Sequence, residues 1–283
     1  MSNKILVTCA DGNVGSHVLG LLKKQHSVNI RAASYNGIVD CVDSIAIDYA
    51  DIDSLEKATQ GISTMYMIIP TDPDMVQWGR NLIAAAKKNG VKHIVRLSTS
   101  LAKIGSSLKA PDLLNATDQN VINSGIDYTI IAPQFFMQNF INFYANDYKN
   151  GTIYLPAGDG KIGWVDIMDI ASVSVAALLD PAMYKAQTLT VTGGENLSYA
   201  QAVAQMNEVL GKQSQYVAVP DEAAIKAMQD MQFPPFLVEF MLSLNHSVVN
   251  GYTEELTDTV ERVTGKKPIS FKPFVMANKE SWL

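Results

Sequence analysis

An apolar run, Ile5-Leu6-Val7, leads through Thr8-Cys9-Ala10-Asp11 into Gly12-Asn13-Val14-Gly15, and no other stretch narrows the choice of fold as far. It reads as a strand, a tight turn and the start of a helix. A loop that cradles phosphate needs a small residue at the strand exit. It also needs a Gly where backbone touches pyrophosphate, and another where helix and strand pack closely. Gly12 and Gly15 meet the last two requirements, while Cys9 stands at the first. Alone, such a spacing also fits a plain strand-to-helix turn, so the rest of the chain must decide.

Apolar runs alternate with helical patterns through the first two-thirds of the sequence, as expected for βαβ units wound into a parallel sheet. The strands fall at residues 4–8, 27–32, 44–47, 64–69, 93–98, 128–132 and 188–192. Most are nearly continuous in Val, Ile or Leu, as strands covered on both faces should be. Helices at 74–89 and 111–124 close on Gly90 and Gly125, residues suited to a left-handed helix end. After Gly193-Gly194 the pattern turns helical, at 199–210, 221–231, 235–246 and 253–264. The expected architecture is α/β: a Rossmann-type doubly wound parallel sheet over 1–155, with 164–193 returning to it. A smaller, mostly helical substrate lobe follows over 194–283.

Composition removes several functional classes. A net charge of −6 without a Lys/Arg cluster argues against direct nucleic-acid binding, which depends on neutralising phosphates. Four scattered histidines offer no ligand-like spacing, so no metal is expected. Two cysteines are too few for a disulfide framework, and no leader or membrane span is evident, so a reducing cytoplasm is the expected location. A homodimer is compatible with all of this.

Candidate site residues then follow from position. At the second strand Arg31 leans the reading slightly toward NADP(H) over NAD(H), because a base there can pair with a 2′-phosphate. Asp48 and Tyr49 follow the third strand and could contact the nucleoside, whereas Asp53 reads as a helix N-cap. Ile69 and Pro70 leave the fourth strand, and Ser98 and Thr99 the fifth, at the carboxyl edge where open α/β sheets bind ligands. None of the eleven tyrosines has Lys four positions on, so the usual acidified phenol for ketone reduction is missing. Lys103 and Lys109 could act as acids or be ordinary loop lysines. A reduced substrate should therefore be electrophilic already, such as a quinone, an iminium or a conjugated cation.

Taken as a set, several segments resemble the NmrA-like family of atypical short-chain dehydrogenases/reductases. They are Thr8 to Gly15, Gly90-Val91-Lys92-His93-Ile94-Val95, Ser124 to Asn139, Gly163 to Ala171, Gly193 to Tyr199, and Thr264-Gly265-Lys266-Lys267-Pro268. The resemblance covers nearly the whole chain. It implies a nucleotide-binding fold and one of three roles. These are an NAD(P)H-dependent reductase of quinones, triphenylmethane dyes or iminium intermediates, a nucleotide-sensing regulator without turnover, or a biosynthetic enzyme with a non-reductive step. It assigns Thr8, Gly12, Asn13, Val14 and Gly15 to the pyrophosphate turn, and Pro133, Phe135 and Phe136 to a segment beneath the nicotinamide. Phe136, Met137, Gln138, Asn139 and Trp164 would face a small aromatic or conjugated substrate, with Ser98, Lys109 and Asn139 as catalytic candidates. The chain departs from the family pattern at Cys9, at Ala132 in place of a common Arg, and at Leu114 and Asp118 in place of a His and Glu pair.

Overall fold

The structure is a computed structural model that describes residues 4–104 and 108–283. In chain order the elements of the first half are β1 (Lys4–Val7), α1 (Asn13–Lys23), β2 (Asn29–Ser34), β3 (Ser44–Ala46), α2 (Ile52–Thr59), β4 (Thr64–Met67), α3 (Met75–Lys88), β5 (His93–Leu97), α4 (Lys109–Ile122) and β6 (Asp127–Pro133). Then come α5 (Asn139–Asn142), α6 (Ala145–Lys149), β7 (Thr152–Leu155), α7 (Ile167–Leu179), β8 (Gln187–Val191), α8 (Tyr199–Leu210) and β9 (Gln215–Ala218). The chain ends with α9 (Asp221–Asp230), α10 (Pro235–Val249), α11 (Thr259–Thr264) and α12 (Phe271–Ala277). No helix among the described residues is long and apolar enough to cross a membrane.

Seven strands form one sheet in the order β3-β2-β1-β4-β5-β6-β8. The pairs β1–β2, β2–β3, β1–β4, β4–β5 and β5–β6 are all parallel. Strand order reverses between β1 and β4, so the loops leaving these two strands diverge and open a crevice at the carboxyl edge. The sheet stays together because its strands are apolar on both faces: Ile5, Leu6, Met65, Tyr66, Ile94 and Val95 are wholly buried. Helix α2 starts at Asp51, whose side chain accepts from the Asp53 backbone N–H. The N-cap is thus Asp51, and Asp53 sits in the first turn, where its charge favours the helix N-terminus.

The chain divides into two compact units. The first comprises residues 1–102, 113–132 and 170–189, and the second 103–112, 133–169 and 190–283. Residues 133–155 and 164–169, expected in the nucleotide-binding part, therefore belong to the second unit. The reason is an aromatic cluster: Phe140 packs 5.0 Å from Trp164 and 5.2 Å from Phe271, and Trp164 lies 5.1 Å from Tyr199. Such ring pairs add about 0.5–1.5 kcal/mol each beyond the area they bury. Within this unit β7 and β9 form a two-stranded parallel sheet that the sequence pattern does not announce.

Candidate nucleotide-binding and reaction site

The first unit builds a phosphate cradle from the β1–α1 turn. Cys9 has φ of 46°, a left-handed conformation that suits the Gly usual at this position. The turn closes when the Gly12 N–H donates to the Cys9 carbonyl at 2.9 Å. A Cβ on Gly15 would lie 2.0 Å from that same carbonyl oxygen, so only Gly lets the helix approach the strand. Gly12 is the N-cap of α1 and supplies no side-chain cap. The first-turn N–H groups of Asn13 and Val14 are thus positioned for an anion, with the helix dipole behind them. A dinucleotide pyrophosphate fits this cradle.

Beneath the turn, several residues expected to touch cofactor hold the fold instead. The Thr8 hydroxyl is fully buried, donates to the Ile68 carbonyl at 2.9 Å and accepts from the Ile68 N–H at 2.8 Å. Tyr49 is 6% exposed; its hydroxyl donates to the Ile68 carbonyl at 2.9 Å, and its ring stacks on Trp78. Its phenol also lies 3.2 Å from the Cys9 thiol. Burial pushes the Cys9 thiol up, against the lowering effect of the Tyr49 hydrogen bond. The side chains of Thr8 and Tyr49 therefore brace the exits of β1 and β4. Asp48 is exposed, with one carboxylate oxygen accepting from the Ala50 N–H at 2.9 Å. Ile69 is buried, and Pro70 is exposed beside it.

Arg31 corrects a second expectation. Strand β2 runs to Ser34, so Arg31 lies mid-strand opposite Leu6 and short of the carboxyl edge. Its Nε donates to both oxygens of Asp43 at 3.1 Å. One terminal nitrogen donates to the carbonyls of Lys57, Ala58 and Gln60 at the end of α2. The guanidinium clamps a helix C-terminus and is not a 2′-phosphate reader. Past β2 the edge carries Ser34, Tyr35 and Asn36, with neither an acid nor a base among them. Tyr35 is strongly exposed, and Asn36 accepts from Ser34 and from the Ile38 N–H.

At the exit of β5 the structure brings together a group that the sequence does not reveal. The Ser98 hydroxyl donates to Asp118 of α4 at 2.5 Å. The other Asp118 oxygen lies 3.5 Å from Nε of Arg96, a residue in the middle of β5. Arg96 and Asp118 are 1% and 6% exposed. Arg96 also donates to the carbonyls of Met67 and Leu97. Its Nε and second terminal nitrogen, like Asp118 Oδ1, are buried without a hydrogen-bond partner. Burial pushes Asp118 up, while Arg96 and the Ser98 hydrogen bond oppose the shift. Thr99 follows at the same edge, half-buried.

In the second unit the residues expected near substrate separate into two kinds. Trp164 is 1% exposed and donates from its indole to the Leu197 carbonyl at 3.0 Å. Met137 is equally buried. Gln138 donates to Asp166 at 3.1 Å and accepts from the Ile167 N–H at 3.1 Å. Trp164 and Met137 thus lie in the core of the unit, and Gln138, half-buried, has both ends of its amide engaged. Pro133 is buried, and Phe135 packs edge-on to Trp164. Phe136 and Asn139 keep partial exposure and remain the substrate-facing candidates. Lys109 lies 3.5 Å from Glu239 and over the Phe236 ring, so its charge is already answered by α10. Among the described residues no cluster of His, Cys, Asp or Glu could hold a metal ion.

Comparison with known proteins agrees with this layout. The model of the NmrA-like family matches residues 1–278. The NAD(P)H azoreductase of Xenophilus azovorans is 33% identical, over 97% of each chain. The agroclavine dehydrogenase of Claviceps fusiformis is 28% identical, over 99% of this chain and 98% of its own. Among solved structures, an NADPH-dependent quinone oxidoreductase from Escherichia coli, complexed with NADPH, superposes with a TM-score of 0.88 at 23% identity. That match covers 97% of this chain and 99% of the other. The cradle, the strand order and this whole-length match converge: the chain belongs to the NmrA-like family.

Proposed function

We propose that the protein is an NAD(P)H-dependent reductase that passes hydride to a flat, conjugated acceptor. The observation that carries this reading is the 33% identity, along almost the full length of both chains, to an NAD(P)H azoreductase. The Gly12 to Gly15 cradle supports it from the chain's own geometry. Backbone N–H groups of Asn13 and Val14 would hold the pyrophosphate, and Asp48 and Asn36 would read the ribose or adenine. The bound nucleotide would supply a two-electron hydride donor. With Arg31 engaged elsewhere and no base at the β2 exit, NADH and NADPH should both serve.

Phe136 and Asn139 are the surfaces left for a conjugated substrate, since Met137 and Trp164 are buried and the Gln138 amide is engaged by Asp166 and Ile167. Stacking against the flat face of the acceptor is the main contribution asked of them. The test is steady-state oxidation of NADPH and NADH with an azo dye, a quinone, a triphenylmethane dye and an iminium. Oxidation that depends on an acceptor supports the proposal. Tight nucleotide binding without oxidation by any of the four would contradict it and favour a nucleotide-sensing role.

A further inference from the structure

Neutral and cationic acceptors differ in one requirement. A triphenylmethane cation or an iminium is complete once its carbon gains hydride. An azo bond or a quinone is not, because hydride leaves a negative charge on nitrogen or oxygen that must take a proton. Reduction of R–N=N–R′ to R–NH–NH–R′ consumes one hydride and one proton; the quinone balance is the same per hydroquinone. A chain without a Tyr–Lys pair needs another acid if it handles neutral acceptors.

From the geometry at the β5 exit we infer that Ser98 is that acid, with Asp118 and Arg96 acting through it, and that the protein is built for neutral acceptors. The inference rests on the reductase reading above. Ser98 is the first residue beyond β5, at the carboxyl edge, and its oxygen is 2.5 Å from Asp118. At rest the Ser98 hydroxyl donates to Asp118; when the acceptor takes hydride from reduced nicotinamide, that O–H turns to the anionic nitrogen or oxygen and breaks toward it, freeing the Ser98 oxygen to accept from neutral Asp118. The Asp118 O–H bond breaks toward Ser98 in the same sense, and Asp118 regains its proton from solvent after product leaves. No electrons beyond the hydride pair are needed.

Two features favour this over a purely structural role. An ion pair kept only for stability should be closely made and fully hydrogen-bonded. Here the Arg96–Asp118 approach is 3.5 Å, and both partners keep buried atoms with no hydrogen-bond partner. Burial also favours the neutral carboxyl of Asp118, the form a relay needs. The groups that oppose this are Arg96 from β5 and the Ser98 hydroxyl. Beyond Arg96 stand Tyr66, Tyr49 and Cys9, all of whose titrations burial pushes up, so they face the guanidinium uncharged.

The test compares wild type, Ser98→Ala, Ser98→Thr, Asp118→Asn and Asp118→Glu with an azo dye and a triphenylmethane cation. Ser98→Ala and Asp118→Asn should slow turnover of the azo dye by roughly 10²-fold, the usual contribution of a general acid. Turnover of the cation should fall at least about tenfold less than turnover of the azo dye, and Ser98→Thr should restore much of the azo rate. In wild type the azo rate should fall as pH rises through the Asp118 titration, while the cation rate should not follow it. Independently of turnover, the nucleotide-free protein should show, besides the Asp169 signal, a protonated-carboxyl infrared component that persists above the ordinary Asp range, is lost in Asp118→Asn and is kept in Asp169→Asn. Equal losses with both acceptors, unchanged azo rates, or no such band would each overturn the relay while leaving the reductase reading in place. Failure of wild type to oxidise either nucleotide with any acceptor would overturn both.

Discussion

Gly15 stands so close to Cys9 that a Cβ built on it would overlap the Cys9 carbonyl oxygen at 2.0 Å. The contact couples the N-terminal turn of α1 to the strand that feeds it. Gly15→Ala should therefore destabilise the protein by about 1–3 kcal/mol through overpacking against backbone that cannot yield. It should weaken NADPH and NADH binding together, because the cradle itself is displaced. Thermal unfolding with and without nucleotide reads both effects. An unchanged melting temperature would show that the turn is looser than described.

Arg31→Ala removes the clamp between Asp43 and the end of α2. A loss of about 1–3 kcal/mol is expected, as for a charge-assisted hydrogen-bond set that leaves carbonyls unpaired. The ratio of NADPH to NADH affinity should not change. A selective loss of NADPH binding, measured by calorimetry, would return Arg31 to the 2′-phosphate.

At Cys9 the left-handed backbone sets the prediction. Cys9→Gly relieves strain but gives up the thiol contact with Tyr49, so its stability should stay within about 1 kcal/mol of wild type. Cys9→Val places a β-branched side chain at the same positive φ and should cost about 1–3 kcal/mol more. Chemical denaturation of the two variants distinguishes them. Equal stabilities would show that the turn readily changes conformation.

Asp169 supplies a pH prediction within the second unit. It is 8% exposed and accepts from the Ile269 N–H at 2.8 Å. Burial pushes its carboxyl up to about 6; the Ile269 hydrogen bond opposes this and Asp166 adds to it. A folded value above the unfolded one means that stability is full below about 4 and is lost as pH rises through about 6. Asp169→Asn keeps the acceptor oxygen without the charge. It should match wild type at pH 4 and exceed it by about 1–3 kcal/mol at pH 8. Parallel denaturation curves at both values would contradict this.

What the sequence could convey follows from what each element buries. The inner strands of the main sheet are legible because runs such as Lys4–Val7 and Thr64–Met67 are largely buried on both faces. Strands β7 and β9 are not, because Thr152–Leu155 and Gln215–Ala218 are short, half-exposed and paired only with each other. Arg31 was misplaced because β2 extends two residues past the end of its apolar pattern. The burial of Trp164 and Met137 is not legible, because a sequence cannot show which side of an aromatic layer is covered. Ser98 has no partner legible in its own segment, because Asp118 lies twenty residues away on a different element, joined only by the fold. A lone Arg inside the apolar run His93–Leu97 was the one signal that could have pointed there.

Direct hydride transfer is the centre of this account, and isotopic labelling tests it most directly. NADPH carrying deuterium at the transferable nicotinamide position should be oxidised with a triphenylmethane cation or an iminium in ordinary water, since a C–D bond in those products does not exchange. One deuterium per product molecule is the predicted result, with none appearing when unlabelled NADPH is used in heavy water. A reduced product whose new C–H hydrogen comes from solvent would contradict it.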